Sequence, residues 1–290
     1  MQTFIFIEAI NIEASVYDTD QLSVIRGSSC LLKEAIRHIQ DTFQDCLTAL
    51  STGASSGLFV LRDPQTGITK LIDSIKQELG KHPYEYFVFL VESCDAEDLL
   101  GAKEKLLTLL RFHQMRSITS VPDRISADRS SLKQPCGLEG RRIASKNPPK
   151  MVQGRPRRLS ESVFQRLKMG RERRQIHRSQ DGDPKKLAIL EKYRSSDDFE
   201  SLAGNPENPE HKKLKNKIAV IYIDGNKFSE LQRRTLEQAI EPEEMNQAQI
   251  DFDLTIQTER SNFLLDILLA MVKNEIKRFP DALYEVYCLR

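Results

Sequence analysis

The chain has 290 residues, enough for two ordinary domains that each bury a core, and its net charge of +1 singles out no partner by itself. Hydrophobic residues make up 39% and charged residues 29%, a globular balance that leans polar and leaves room for exposed segments. No apolar run reaches the ~18 residues of a membrane span, so no membrane partner is expected. Five scattered cysteines without a C-x-x-C pair point to reduced thiols in a cytoplasmic protein, not to a disulfide framework.

The N-terminus has no basic leader and soon meets a carboxylate, Glu8, so it reads as a first strand and not as a signal peptide. Thr3 to Ile12 is nearly continuous apolar sequence, the pattern of a strand covered on both faces. Gln21 to Arg26 and then Gly27-Ser28-Ser29 lead into a helical pattern, with Leu31, Leu32, Ala35, Ile36 and Ile39 on one face. Ser51 to Gly57 has turn chemistry, and Gly57 to Leu61 is a second short strand. Ile68 to Leu79 is helical with Gly80 as its C-cap, Tyr84 to Val91 is a strand, and Ala96 to Phe112 is another amphipathic helix. This β-α-β-α-β-α order over about 115 residues predicts an α+β or α/β domain.

From Ile118 the composition shifts. Sixteen Lys and Arg face four Asp and Glu between Arg124 and Arg178, and prolines, glycines and serines break every pattern except a helical one over Ser160 to Arg174. Short helical pieces at Leu187 to Tyr193 and Phe199 to Leu202 precede the breaker Gly204-Asn-Pro-Glu-Asn-Pro209. A strand at Ile218 to Ile223 then delivers Asp224 to Gly225-Asn226. Helical pattern follows through Phe228, Leu231, Leu236 and Ile240, and again over Gln247 to Lys277 up to Pro280. Leu283 to Leu289 reads as a last strand. The expected segments are a first domain at 1–117, a basic loop-rich and helical linker at 118–216, and a second domain at 217–290.

A strand that fixes one carboxylate before a small turn residue suits metal-assisted nucleotide chemistry: the strand positions the ligand and the glycine leaves room for phosphate. Asp224 is therefore a candidate metal ligand and catalytic residue, with Gly225 and Asn226 beside the nucleotide; otherwise Asp224 simply opens a turn. Arg26, Gly27, Ser28 and Ser29, placed ahead of a helix, would offer amides and hydroxyls to phosphate, or Ser28 or Ser29 would serve as a plain N-cap. Arg155-Pro-Arg-Arg158 and Arg171-Glu-Arg-Arg174 would contact nucleic acid without sequence preference, or belong to a solvated linker. Phe164 is the only aromatic near these clusters, which argues against base stacking. The five histidines show no metal spacing, and no P-loop or nucleophile elbow is present.

Three blocks resemble the large-subunit polymerase/cyclase family of type III CRISPR effectors, relatives of GGDEF cyclases. Ala14 to Ser29 is similar to the first palm's strand-to-helix passage. Ser51 to Phe59 stands at the place of its hairpin. Phe199-Glu-Ser-Leu-Ala203 with Asn216 to Asn226 is similar to the approach into the second palm and its first metal Asp. The resemblance implies two ferredoxin-like palm domains, the second incomplete, together with ATP or another nucleotide, Mg²⁺, and synthesis of nucleotide signals in antiviral defence. It also places Glu8 near where a first palm holds a metal carboxylate, with Ser55-Ser56 in place of an acidic hairpin. Two features depart from the family. The sequence lacks a Gly-Gly-Asp-Asp or Gly-Gly-Asp-Glu hairpin, and Cys136 has no partner cysteine nearby for a zinc site. The expectation is a split or truncated enzyme, incomplete alone and completed by a protein partner; the alternative is a non-catalytic scaffold or a nucleotide- or nucleic-acid-binding regulator.

Overall fold

Strand β1 (Gln2–Ile10) alternates two sets of side chains between the faces of a sheet: Ile5 and Ile7 point one way, Phe4, Phe6 and Glu8 the other. The computed structural model containing it describes residues 1–63, 67–118, 134–145, 148–152, 154–173 and 227–278. They fall into two units, each assembled from separated stretches. One comprises Met1–Asp18, Ser28–Leu132 and Gly225–Leu254; the other comprises Thr19–Gly27, Lys133–Asp224 and Thr255–Arg290.

In the first unit β1 is followed by a short helix α1 (Ile12–Ser15) and by α2 (Leu22–Thr42), of which Ser28 onward belongs here. Then come β2 (Leu47–Thr52), β3 (Ser56–Leu61), α3 (Ile68–Leu79), β4 (Val88–Ala96) and α4 (Leu99–Gln114). The sheet is antiparallel in the order β2-β3-β1-β4. Apart from the short α1, the sequence β-α-β-β-α-β with that strand order is the split β-α-β arrangement, so the chain is α+β as expected. One sheet face packs Ile5, Ile7, Phe59 and Val91 against Ala35, Ile36 and Ile39 of α2 and Leu71, Ile75 and Leu79 of α3. Each fully buried Ile among them contributes about 1.5–3 kcal/mol relative to exposure.

The opposite face is covered as well. Phe4, Leu58 and Val60 pack with Leu99, Ala102 and Leu106 of α4. The same cluster holds Leu236 of α6 (Phe228–Glu237) and Met245 of α7 (Pro242–Arg278). Polar contacts fix these later helices to the sheet. Asn246 Nδ2 donates to Gln2 Oε1 (2.9 Å), and Asp253 accepts from Ser51 Oγ (2.9 Å) and Thr52 N (3.2 Å), so a carboxylate caps part of the edge strand β2.

The second unit forms around β5 (Lys150–Val152), β6 (Arg155–Arg157) and α5 (Glu161–Glu172). Ser160 caps α5 by accepting from Val163 N (3.4 Å). Val24, Cys136, Val152, Leu159, Val163 and Leu167 make its core. Glu139 is buried there, ion-paired to Arg142 (2.5 Å) and accepting from Ser160 Oγ (2.5 Å). The first turns of α2 cross α5 with backbones in contact: a Cβ on Gly27 would stand 1.7 Å from Arg166 O, and one on Gly170 1.7 Å from Ser23 O.

Several expectations change. The turn assigned to Ser51 to Gly57 belongs to a hairpin, because Leu47–Thr52 is a strand whose small residues and bulge between Ala49 and Ser51 obscured its alternation. Helix α2 starts at Leu22, so Arg26 to Ser29 lie inside it and not ahead of it. The strand expected at Tyr84 to Val91 runs from Val88 to Ala96 after a short 3₁₀ turn, and Asp98 opens α4 by accepting from Gly101 N (2.8 Å). Lys150–Val152 and Arg155–Arg157 pair as a two-stranded ribbon where a loop was expected. The predicted elements at 187–193, 199–202, 218–223 and 283–289 lie outside the described residues.

Candidate functional site

In the first unit the C-terminal end of β1 builds a polar corner. Helix α4 lays Leu99, Ala102, Leu106 and Leu110 against the unit's interior, and the next turn brings Arg111 and Gln114 over the strand end. Arg111 grips Glu8 with both terminal nitrogens, each 3.3 Å from one carboxylate oxygen, and also donates to Gln114 Oε1 (2.7 Å). Such a two-pronged guanidinium–carboxylate contact fixes orientation as well as charge. Asn11 turns the chain out of β1 in the left-handed region (φ 55°, ψ 43°), a conformation asparagine tolerates, and its Nδ2 donates to Ile118 O (2.7 Å). Between these groups lies an open cleft of about 480 Å³ lined by Glu8 to Ala14, Arg111 and Gln114.

The register defines what this corner can do. Glu8 stands opposite Ser56 of β3 and Leu90 of β4. Glu92, opposite Phe6 on β4, is held by His113 Nδ1 (2.5 Å). Each carboxylate on this face thus has a basic partner of its own, and none stands across from Glu8 on the hairpin. A divalent cation in a two-ion site needs two carboxylates converging on one point. Paired to Arg111 and facing Ser56, Glu8 does not fit a two-carboxylate Mg²⁺ site across the hairpin. Among the described residues there is no group of three or more His, Cys, Asp or Glu able to hold a metal ion.

Of the sequence-predicted residues, Arg26 to Ser29 lie inside α2. Arg26 and Ser28 are buried within α2, and Ser29 is half-buried. Arg26 donates to Gly170 O (3.1 Å), and Gly27 is taken up by the crossing with α5. Their surroundings are helix contacts, with no helix N-terminus at Arg26 to Ser29 to receive phosphate. Asp224, Gly225 and Asn226 lie outside the described residues. Sequence reasoning missed Arg111, Gln114 and Asn11. Asn11, a small polar residue between a strand pattern and Ile12, carried a usable turn signal; the pairing of Arg111 with a residue 103 positions earlier carried none.

A second polar cluster sits under α6 and α7. Lys103 Nζ donates to Gln232 Oε1 (2.8 Å) and Gln249 Oε1 (3.3 Å), and Gln232 Nε2 donates to Gln249 Oε1 (3.0 Å). Burial pushes the Lys103 ammonium below its ordinary pKa, partly offset by the Asp253 carboxylate. These groups join three helices and read as a packing network, in which Gln249 Nε2 is buried without a partner among the described residues.

Among the described residues no helix is long and apolar enough to cross a membrane. No protein-family model matches the chain, and comparison with curated proteins finds no similar sequence.

Proposed function

We propose that the chain is a nucleotide-binding protein of the polymerase/cyclase palm type, in which the first domain no longer catalyses and metal-ion chemistry depends on Asp224. The observation that carries this reading is the register Glu8 opposite Ser56 in a split β-α-β sheet. The strand position resembling a palm's metal carboxylate is occupied, the hairpin position facing it is a serine, and Arg111 neutralises the remaining acid. That is the pattern of a palm that keeps its scaffold and has lost its ion site. Asp224, with Gly225 and Asn226 beside it, would then supply one ligand to Mg²⁺ and face the triphosphate of ATP. The second carboxylate would come from a protein partner, and nucleotide signals would be made by the assembled enzyme in antiviral defence.

A regulatory scaffold is the second reading. It is favoured by the covering of both sheet faces in the first unit, which leaves the corner cleft as the opening beside Glu8.

Equilibrium binding of ATP with and without Mg²⁺ separates the two. Loss of a metal-ligand carboxylate should weaken Mg²⁺-dependent ATP binding by about tenfold or more, roughly 1.4 kcal/mol, in Asp224→Ala, while Glu8→Gln leaves it unchanged. Equal binding by the wild type and Asp224→Ala, or nucleotide product from both, would remove Asp224 from the chemistry. Absence of any ATP binding would favour the scaffold.

A further inference from the structure

The second unit carries a strongly basic surface that the proposed nucleotide chemistry leaves unexplained. In the β5–β6 ribbon Lys150 pairs across from Arg157 and Val152 across from Arg155. Val152 is buried, so the ribbon's backbone is anchored and its cations stand on a packed element, not on a loose tail. Arg158 follows directly, its carbonyl accepting from Gly137 N (2.8 Å), which joins the ribbon to the turn after Cys136. Arg155 and Arg158 are exposed and have no side-chain partner among the described residues. From the neighbouring helix Arg171 donates to Met151 O (2.7 Å), adding its guanidinium to the same ribbon. Of the three described acids here, Glu139 is buried against Arg142, Glu161 accepts from Gln165 Nε2 (2.6 Å) and Glu172, exposed at the end of α5, lies 3.9 Å from Lys168.

We infer that this ribbon and the end of α5 bind the phosphodiester backbone of nucleic acid, without reading its sequence. Arginine dominates the surface, and its planar fork matches phosphate oxygens where lysine offers only a point charge. Lys150 sits 4.9 Å above the Phe164 ring, so the aromatic nearest the patch is already covered by a cation and does not stack on bases. Backbone contact without base contact gives binding that is sequence-independent and strongly salt-dependent. An acidic protein segment would satisfy the charge but not the phosphate geometry, and this difference is measurable.

The test uses the full chain and fluorescence anisotropy with labelled oligonucleotides of mixed sequence: single-stranded RNA, single-stranded DNA and DNA duplex, with a polyglutamate peptide as the acidic control. The double reversal Arg155→Glu with Arg158→Glu should weaken oligonucleotide binding by about tenfold or more in about 50 mM salt. It should also lower the steepness of log affinity against log salt by about 1.4 on single strands or 1.8 on duplex, two phosphate contacts at about 0.7 or 0.9 each. Lys70→Glu with Lys76→Glu, which changes the net charge equally on α3 of the first unit, should leave both quantities close to wild type. Where the reversal fails to fold by circular dichroism, Arg155→Gln with Arg158→Gln replaces it, and a weaker loss in the same direction supports the assignment. Binding to RNA, to DNA or to both supports the assignment and identifies the source of the phosphates. The assignment is overturned by no binding in low salt, by polyglutamate binding as tight as oligonucleotide, or by equal losses in the two double reversals. None of these outcomes depends on Asp224, so this assignment and the nucleotide reading stand or fall separately.

Discussion

Lys103 shows how one residue reports on the packing around it. Its ammonium is held by two glutamine carbonyls, and burial keeps its pKa below the ordinary 10.5. Between the lowered folded value and the ordinary unfolded one, the unfolded chain binds more protons than the folded chain, so unfolding free energy rises with pH across that window. Below the window the desolvation of the charge persists at full size; above it, the penalty is gone. Urea midpoints measured from neutral to strongly alkaline pH should show this rise, and Lys103→Met should flatten it. Equal slopes in the two proteins would show that the ammonium is solvated. At the other end of the helix, Arg111 grips Glu8 at an exposed edge, where such a pair is worth at most about 1 kcal/mol. Its importance is chemical: it occupies the acid that an ion site would need.

At the scale of elements, the helical faces were legible from spacing alone. Leu31 to Ile39, Leu71 to Leu79 and Leu99 to Leu110 are buried where their three- and four-residue periods place them. What misled the sequence reading was glycine. Gly27 looked like a break before a helix; it lies within α2 because another backbone passes where its side chain would be. The partner segment, at Gly170, is invisible to any local pattern: Arg26 reaches it across 144 positions. In a solvent-exposed helix Gly→Ala stabilises by up to about 1 kcal/mol, but here the methyl would collide with Arg166 O. Gly27→Ala should therefore lower stability by about 1–3 kcal/mol through forced separation of α2 and α5, read from a shifted urea midpoint. A gain in stability would show that the helices are not in close contact. Strand β2 escaped notice for the opposite reason, since Ala49, Ser51 and Thr52 supply too little apolar contrast for alternation to appear. The corner beside Glu8 was half legible: strand and hairpin positions could be read, the arginine could not.

The whole chain is not organised in consecutive segments. Composition marked a change near residue 118, yet residues 225–254 complete the first unit, and residues 19–27 belong to the second. Composition reports what a stretch is made of and not where it returns. The cluster of Phe4, Leu58 and Val60 is closed by Leu236 and Met245. A fragment of residues 1–117 would expose that apolar area, and patches of this kind associate. We expect the fragment to bind a hydrophobic dye and self-associate while the full chain does neither; a monomeric, dye-silent fragment would show that α6 and α7 are dispensable to the unit. Leu236→Ala in the full chain should cost about 2–5 kcal/mol for the same reason.

The bond from Asn246 to Gln2 spans 244 positions. A ribosome adding about 5–20 residues per second needs roughly 12–50 s to deliver the second partner after the first. Once β4 and α4 have been made, the sheet can be hydrogen-bonded and α4 packed beneath it, yet the part of the apolar cluster that Leu236 and Met245 close stays open to holdases until α6 and α7 follow. Slowing codons ahead of α6 should therefore lengthen the time for which this patch is uncovered.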